Sequence, residues 1–157
     1  MDFSNEAEFV LRNPDFGHYQ WARIGVKGLL FREGKVLMLH RREDLDLHPG
    51  LWDLPGGAVE KGDGLEGALV REFQEETGLK VEVRTLVHVW LTPTQLRSGD
   101  TFHGLVVCFA CRSESNHPPK IDPEEHTEYR WVSPDELAQL SLIPDQQIAL
   151  QKGFSPP

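Results

Sequence analysis

The chain has 157 residues, 39% of them hydrophobic, enough for one domain with a proper core and too few for two. Its net charge of −9, without a basic run, argues against a nucleic-acid polymer as partner, because nothing could neutralise backbone phosphates in series. An acidic N-terminus with no apolar core, and no stretch of transmembrane length, point to a cytoplasmic protein with no membrane partner.

Residues 1–157 read as a single domain, with 1–20 as an N-terminal extension and 153–157 as a loose tail. Ile24 to Phe31 and Lys35 to His40 alternate as strands around the turn Arg32-Glu33-Gly34, a hairpin by pattern. Arg41 and Arg42 follow, either as a solvated strand end or as a clamp whose guanidinium groups meet phosphate bidentately. Glu43 to Gly50 reads as a loop and Leu51 to Leu54 as a short strand, which enters the glycine-rich GGAVEKGDG through Pro55. A helix is expected from near Asp63 to Gly78, with Asp63 and Glu66 as a capping box and Gly78 as a left-handed stop.

Lys80 to Trp90 and Thr101 to Arg112 read as strands, and the polar segment Pro93 to Asp100 between them as a substrate-contacting loop or a surface connection. Cys108 and Cys111 form a C-x-x-C, but residues three apart on a strand face opposite sides and cannot share a metal, so they read as ordinary buried thiols. Ser113 to Asp122 reads as an extended loop, followed by an acidic stretch and the strand Tyr129 to Val132. Ser133 caps a helix with Pro134 at its first position, and a short last helix starts at Asp145.

The central helix carries the chemistry. Turned by about 100° per residue, it gathers Leu65, Ala68, Leu69 and Phe73 into one apolar sector. Glu72 and Glu76 fall inside that sector, within about 20° of Leu65, and Glu75 stands at its edge about 80° away. Carboxylates crowded on a packing face cost several kcal/mol, as an order of magnitude, unless a cation or donors compensate them. Acids in the last turn also oppose the helix macrodipole. A solvated helix end with Arg71 paired to Glu75 at i,i+4 is the plainer alternative. A divalent cation is the natural compensation, because carboxylate oxygens are the hard ligands Mg²⁺ and Mn²⁺ take, with remaining positions left to water and phosphate.

The segment resembles the signature of the Nudix hydrolases, carried here by Gly57, Asp63, Arg71, Glu72, Phe73, Glu75, Glu76, Gly78 and Leu79. One position departs from it, since the acid at 63 is usually Glu. The resemblance implies an α+β chain in the Nudix fold, an α/β/α sandwich with a mixed β-sheet. It implies Mg²⁺ (or Mn²⁺) held by Glu72, Glu75, Glu76 and the Gly56 carbonyl, with a late acid chosen from Glu128, Glu125 and Glu124 in that order of preference. The implied reaction is water attack on the diphosphate linkage of a nucleoside triphosphate, ADP-ribose or a nucleotide sugar. Glu72 would accept the proton, Arg71 would orient Glu72 or Glu75, and Asp63 would support them. Gly57, Arg41, Arg42 and Trp52 are expected against the substrate, and Trp90, Phe102, His103 and Tyr19 are further aromatic residues suited to stacking. Pro93 lies where family members acting on ADP-ribose tend to carry a proline, and homodimers are common among similar proteins. Two rival functions are a non-catalytic nucleotide sensor, which would usually have lost a motif acid, and a prenyl diphosphate isomerase, which would need a cysteine, Cys108 or Cys111, and a glutamate facing each other across its pocket.

Overall fold

The structure, a computed structural model, describes residues 8–12 and 19–155, with side chains from Ala22 onward. Its elements are β1 (Glu8–Arg12), β2 (Tyr19–Arg32), β3 (Lys35–Arg41), β4 (Trp52–Asp53), β5 (Gly56–Ala58), α1 (Leu65–Thr77), β6 (Glu82–Gln95), β7 (Thr101–Arg112), β8 (His126–Val132), α2 (Pro134–Leu137) and α3 (Gln147–Phe154). Strand β2 organises them. One of its edges runs parallel to β7, from Ala22↔His103 to Leu30↔Cys111, and β7 continues into antiparallel β6. The other edge serves three antiparallel partners in turn, β1, β5 and β3. The sheet is therefore mixed.

The β2–β3 hairpin turns through Glu33 (φ 51°) and Gly34 (φ 75°), the two left-handed residues that a tight hairpin with right-handed strand twist requires. Only Phe31↔Val36 and Arg32↔Lys35 then pair between these strands. Beyond them the strands part, and the segment after β4 takes the vacated edge: Gly28 N–H donates to the Pro55 carbonyl at 2.9 Å, and β5 pairs at Gly25 to Lys27. Strand β3 meets β4 on the edge it shares with β2 and meets β8 on the opposite edge.

Alternation along the strands sorts the core into two layers. Val26, Leu37, Leu39, Val107 and Phe109 pack with Ala68, Leu69 and Phe73 of α1 on one face. Leu29, Val36, Met38, Cys108 and Val132 pack with Ala149 and Leu150 of α3 on the other. The expected sandwich with its mixed sheet is present, and each C-x-x-C thiol belongs to a different layer.

Several boundaries differ from expectation. Helix α1 begins at Leu65 with Gly64 as an extended N-cap and no side-chain cap, because the Asp63 carboxylate goes to Arg71 instead. Gly56–Ala58 is a strand rather than loop, recruited by the open edge of β2. Strand β6 runs on through Pro93 to Gln95, since its pairing with β7 continues to Gln95↔Thr101, and only Leu96 to Asp100 remain as the turn. The last helix holds Gly153 and Phe154, whose ring meets Phe31 edge-on at 5.1 Å, so the tail starts later than 153. Of the extension, residues 8–12 form β1 and residues 19–20 begin β2; residues 1–7, 13–18 and 156–157 and the Tyr19 side chain lie outside the described residues. The Ser133 cap and the Gly78 stop (φ 67°) stand as expected. Among the described residues, no helix is long and apolar enough to cross a membrane.

Candidate active site

A cleft of about 620 Å³ is lined by β2, the loop 45–48, β5, the last turns of α1, and β6 with β7. Two glycines allow the close contacts that β5 makes there, Gly56 with β2 and Gly57 with the acidic helix. Gly56 holds φ 143°, and a Cβ there would stand 2.0 Å from the Val26 carbonyl oxygen. A Cβ at Gly57 would stand 2.5 Å from Glu72 Oε2, so only glycine leaves room for that carboxylate.

The three motif acids meet different surroundings. Glu76 is 4% exposed and accepts the Gly56 N–H at 3.0 Å, yet burial pushes its pKa well above the usual carboxylate value, against the pull of Lys27. Glu72 lines the cleft half-buried, and burial raises its pKa too, opposed by Arg71. Glu75 is exposed at the rim, 3.5 Å from Arg71 Nη1. Arg71 braces the group. It donates to Glu72 Oε1 at 2.7 Å, to the Ala58 carbonyl at 3.2 Å and to Asp63 Oδ2 at 3.0 Å. Burial opposes its charge, but Asp63 and Glu72 outweigh it and hold the guanidinium proton more firmly than usual. The shorter acid at 63 thus spans the loop-helix junction.

A second polar group lies beside these acids, and of its members only Arg41 is named from the sequence. Lys27 Nζ donates to Asp53 Oδ2 at 2.7 Å and to the Leu54 carbonyl at 3.2 Å, and Arg41 Nη1 stands 3.9 Å from Asp53. Gln146 donates to the other Asp53 oxygen and accepts the Leu54 N–H at 3.2 Å. Burial would raise the Asp53 pKa, but the two cations and the donated hydrogen bonds hold it below the usual value. His48, in a left-handed conformation (φ 49°), also lines the cleft, with its pKa lowered by burial. The loop that carries it is tied to the β6–β7 turn, where Arg97 N–H and Ser98 N–H donate to Asp46. No motif marks these residues; strand pairing brings Lys27, Arg41 and Asp53 together, and Gln146 reaches them from the start of α3.

The expected substrate and metal residues divide. Arg41 and Gly57 line the cleft, as do Trp90, Phe102 and Pro93. Arg42 does not: its guanidinium takes both oxygens of Asp44, at 2.8 and 2.6 Å, and the Pro123 carbonyl. Trp52 is a core residue, 6% exposed, with Arg130 over its ring at 4.9 Å and His40 beside it. His103 is half-buried on β7, away from the lining. The Gly56 carbonyl lies 3.5 Å from Lys27 Nζ. Glu128, the preferred late acid, lies within β8, because the strand reaches back to His126; it faces solvent and accepts Arg130 at 3.1 Å. Glu124 is exposed, and Glu125 is the late acid in the cleft lining.

The donor set suits a hard divalent cation. Glu76 is buried with its charge incompletely balanced, Glu125 reaches the same place, and the neighbouring His126 has a buried Nδ1 without a hydrogen-bond partner among the described residues.

Residues 21–152 match the NUDIX domain family. The chain is 32% identical over 121 residues to the nucleoside triphosphatase NudI of Escherichia coli O139:H28, covering 73% of this chain and 84% of that protein. Among solved structures, the MutT NUDIX hydrolase of Burkholderia pseudomallei superposes with a TM-score of 0.71 at 28% identity, over 83% of this chain and 97% of that one. The MutT protein of Methanosarcina mazei Go1 gives 0.68 at 26% identity, over 84% and 93%.

Proposed function

This chain belongs to the Nudix hydrolase family and is a pyrophosphohydrolase, and from that premise we propose that it cleaves a nucleoside triphosphate, with Mg²⁺ or Mn²⁺, to a nucleoside monophosphate and pyrophosphate. The observation that carries this reading is the convergence of Glu72, Glu76 and Glu125 on a cleft that also holds Lys27 and Arg41. Carboxylates alone would repel a triphosphate; carboxylates arranged to hold a cation, with two basic residues nearby, would receive one. The choice of triphosphate rests on the likeness to NudI.

When bound, the cation would offset charge developing on the phosphoryl oxygens and lower the pKa of a water molecule. Glu76, Glu125 and Glu72 would hold it, with Glu75 at the rim. Glu72 is suited to accept the proton as the water oxygen bonds to phosphorus and the bridging P–O bond breaks, its oxygen leaving on pyrophosphate. Its raised pKa makes it a better base than a free carboxylate, and Arg71 at 2.7 Å keeps it in position. Phe102, with the Arg23 guanidinium 4.5 Å over its ring, and Trp90 offer flat apolar surface for a base.

The test is a panel of nucleoside triphosphates, ADP-ribose and nucleotide sugars with either cation, for the native chain beside Glu72→Gln and Glu76→Gln. Metal-dependent release of monophosphate and pyrophosphate from a triphosphate, reduced at least about a hundredfold in both variants, is the expected outcome. Turnover of ADP-ribose or a nucleotide sugar alone would overturn the substrate assignment.

A further inference from the structure

Among the described residues, Glu76, Glu125 and His126 bring donor atoms within 4.8 Å of one another. The histidine is the unexpected member. It is 2% exposed, and its Nδ1 is buried with no hydrogen-bond partner, which costs about 1–3 kcal/mol when nothing recovers it. Its position follows from an irregularity in the sheet: the β3–β8 register slips between His40↔Glu128 and Arg41↔His126, leaving Thr127 as the extra residue. A bulge re-aims the side chains beyond it, and here it accompanies a buried imidazole next to two acids.

We propose that His126 donates a ring nitrogen to the cation held by Glu76 and Glu125, making a mixed oxygen and nitrogen site that prefers Mn²⁺ to Mg²⁺. This rests on the metal-dependent reading above and extends it to the identity of the ion. Mg²⁺ seeks oxygen ligands and keeps its waters, whereas Mn²⁺, which also takes carboxylates, is a transition-metal cation that accepts an imidazole nitrogen more readily.

The native chain loaded with Mn²⁺ decides the matter by electron spin echo envelope modulation, which detects directly coordinated nitrogen without any turnover. A nitrogen coupling is expected in the native protein, lost in His126→Gln and kept in His48→Gln, the other histidine of the cleft. Calorimetry should show Mn²⁺ affinity falling at least about tenfold in His126→Gln while Mg²⁺ affinity changes little. Native protein that binds Mn²⁺ without nitrogen coupling overturns the inference even if the variant misfolds, as does a coupling lost with His48→Gln instead. If Mn²⁺ binds and Glu76→Gln abolishes that binding, but no nitrogen appears, only the role of His126 fails. If Mn²⁺ does not bind at all, the metal-dependent reading falls with it.

Discussion

Burial and charge oppose each other at Glu76, and the conflict has a measurable sign. Its folded-state pKa lies well above the ordinary 4.5, so the carboxyl binds a proton more tightly folded than unfolded. Metal-free protein should therefore carry the full contribution below the ordinary 4.5 and lose it as the pH rises through the raised pKa. Glu76→Gln should abolish this dependence and stabilise the chelator-treated protein at neutral pH by about 1–3 kcal/mol, and it should also remove the stabilisation expected from the proposed cation; thermal unfolding with and without Mn²⁺ reads both. Asp53 has the opposite sign. Its pKa is depressed below 3.8, so its contribution is present above that value and is lost as the pH falls through the depressed one. Asp53→Asn, leaving Lys27 nearly buried without its counter-charge, should cost about 3 kcal/mol in urea unfolding. Gly57→Ala pushes on the Glu72 carboxylate from 2.5 Å, and a displacement of that order should lower kcat about a hundredfold with little loss of stability. At this scale the motif acids and glycines were legible in advance, because their spacing is local. Lys27, Asp53, Gln146 and His126 were not, since each gains meaning only from a neighbour far away in the chain.

Two helix starts show how far element-level rules reach. Ser133 satisfies its helix as a capping box should, and Ser133→Ala should cost about 1 kcal/mol without touching hydrolysis. Asp63 carries the same sequence signal and does otherwise, because a guanidinium within reach outcompetes the backbone N–H groups for its carboxylate. Asp63→Ala should accordingly lower kcat through a loosened Arg71 while shifting the melting temperature less than Ser133→Ala does; the opposite ranking would return Asp63 to a capping role. The same limit explains β5 and the length of β6. A glycine-rich segment has no strand propensity of its own, and Gly56–Ala58 becomes a strand because β2 offers it an unpaired edge.

For the molecule as a whole, the resemblance implied a mixed sheet sandwiched between helices, and the two core layers on opposite faces of the sheet agree with it. Cys108 and Cys111 report on that arrangement: burial pushes both thiols up to about 12, so thiol reagents should label them only as fast as the protein unfolds, and rapid labelling of the native chain would contradict the layering. What the sequence determined by itself was whatever depends on residues a few positions apart: the hairpin, the acidic helix face with its glycine loop, the terminal capping box, and through the motif the family and its chemistry. What only the tertiary structure decided was which late acid and which basic residues line the cleft beside the motif acids. Those outcomes depend on where β2 and β3 part, on a one-residue slip in β8 and on the docking of Gln146 at Asp53. Such long-range pairings are set by competition among all elements for edges and faces, and that competition leaves no local period to read.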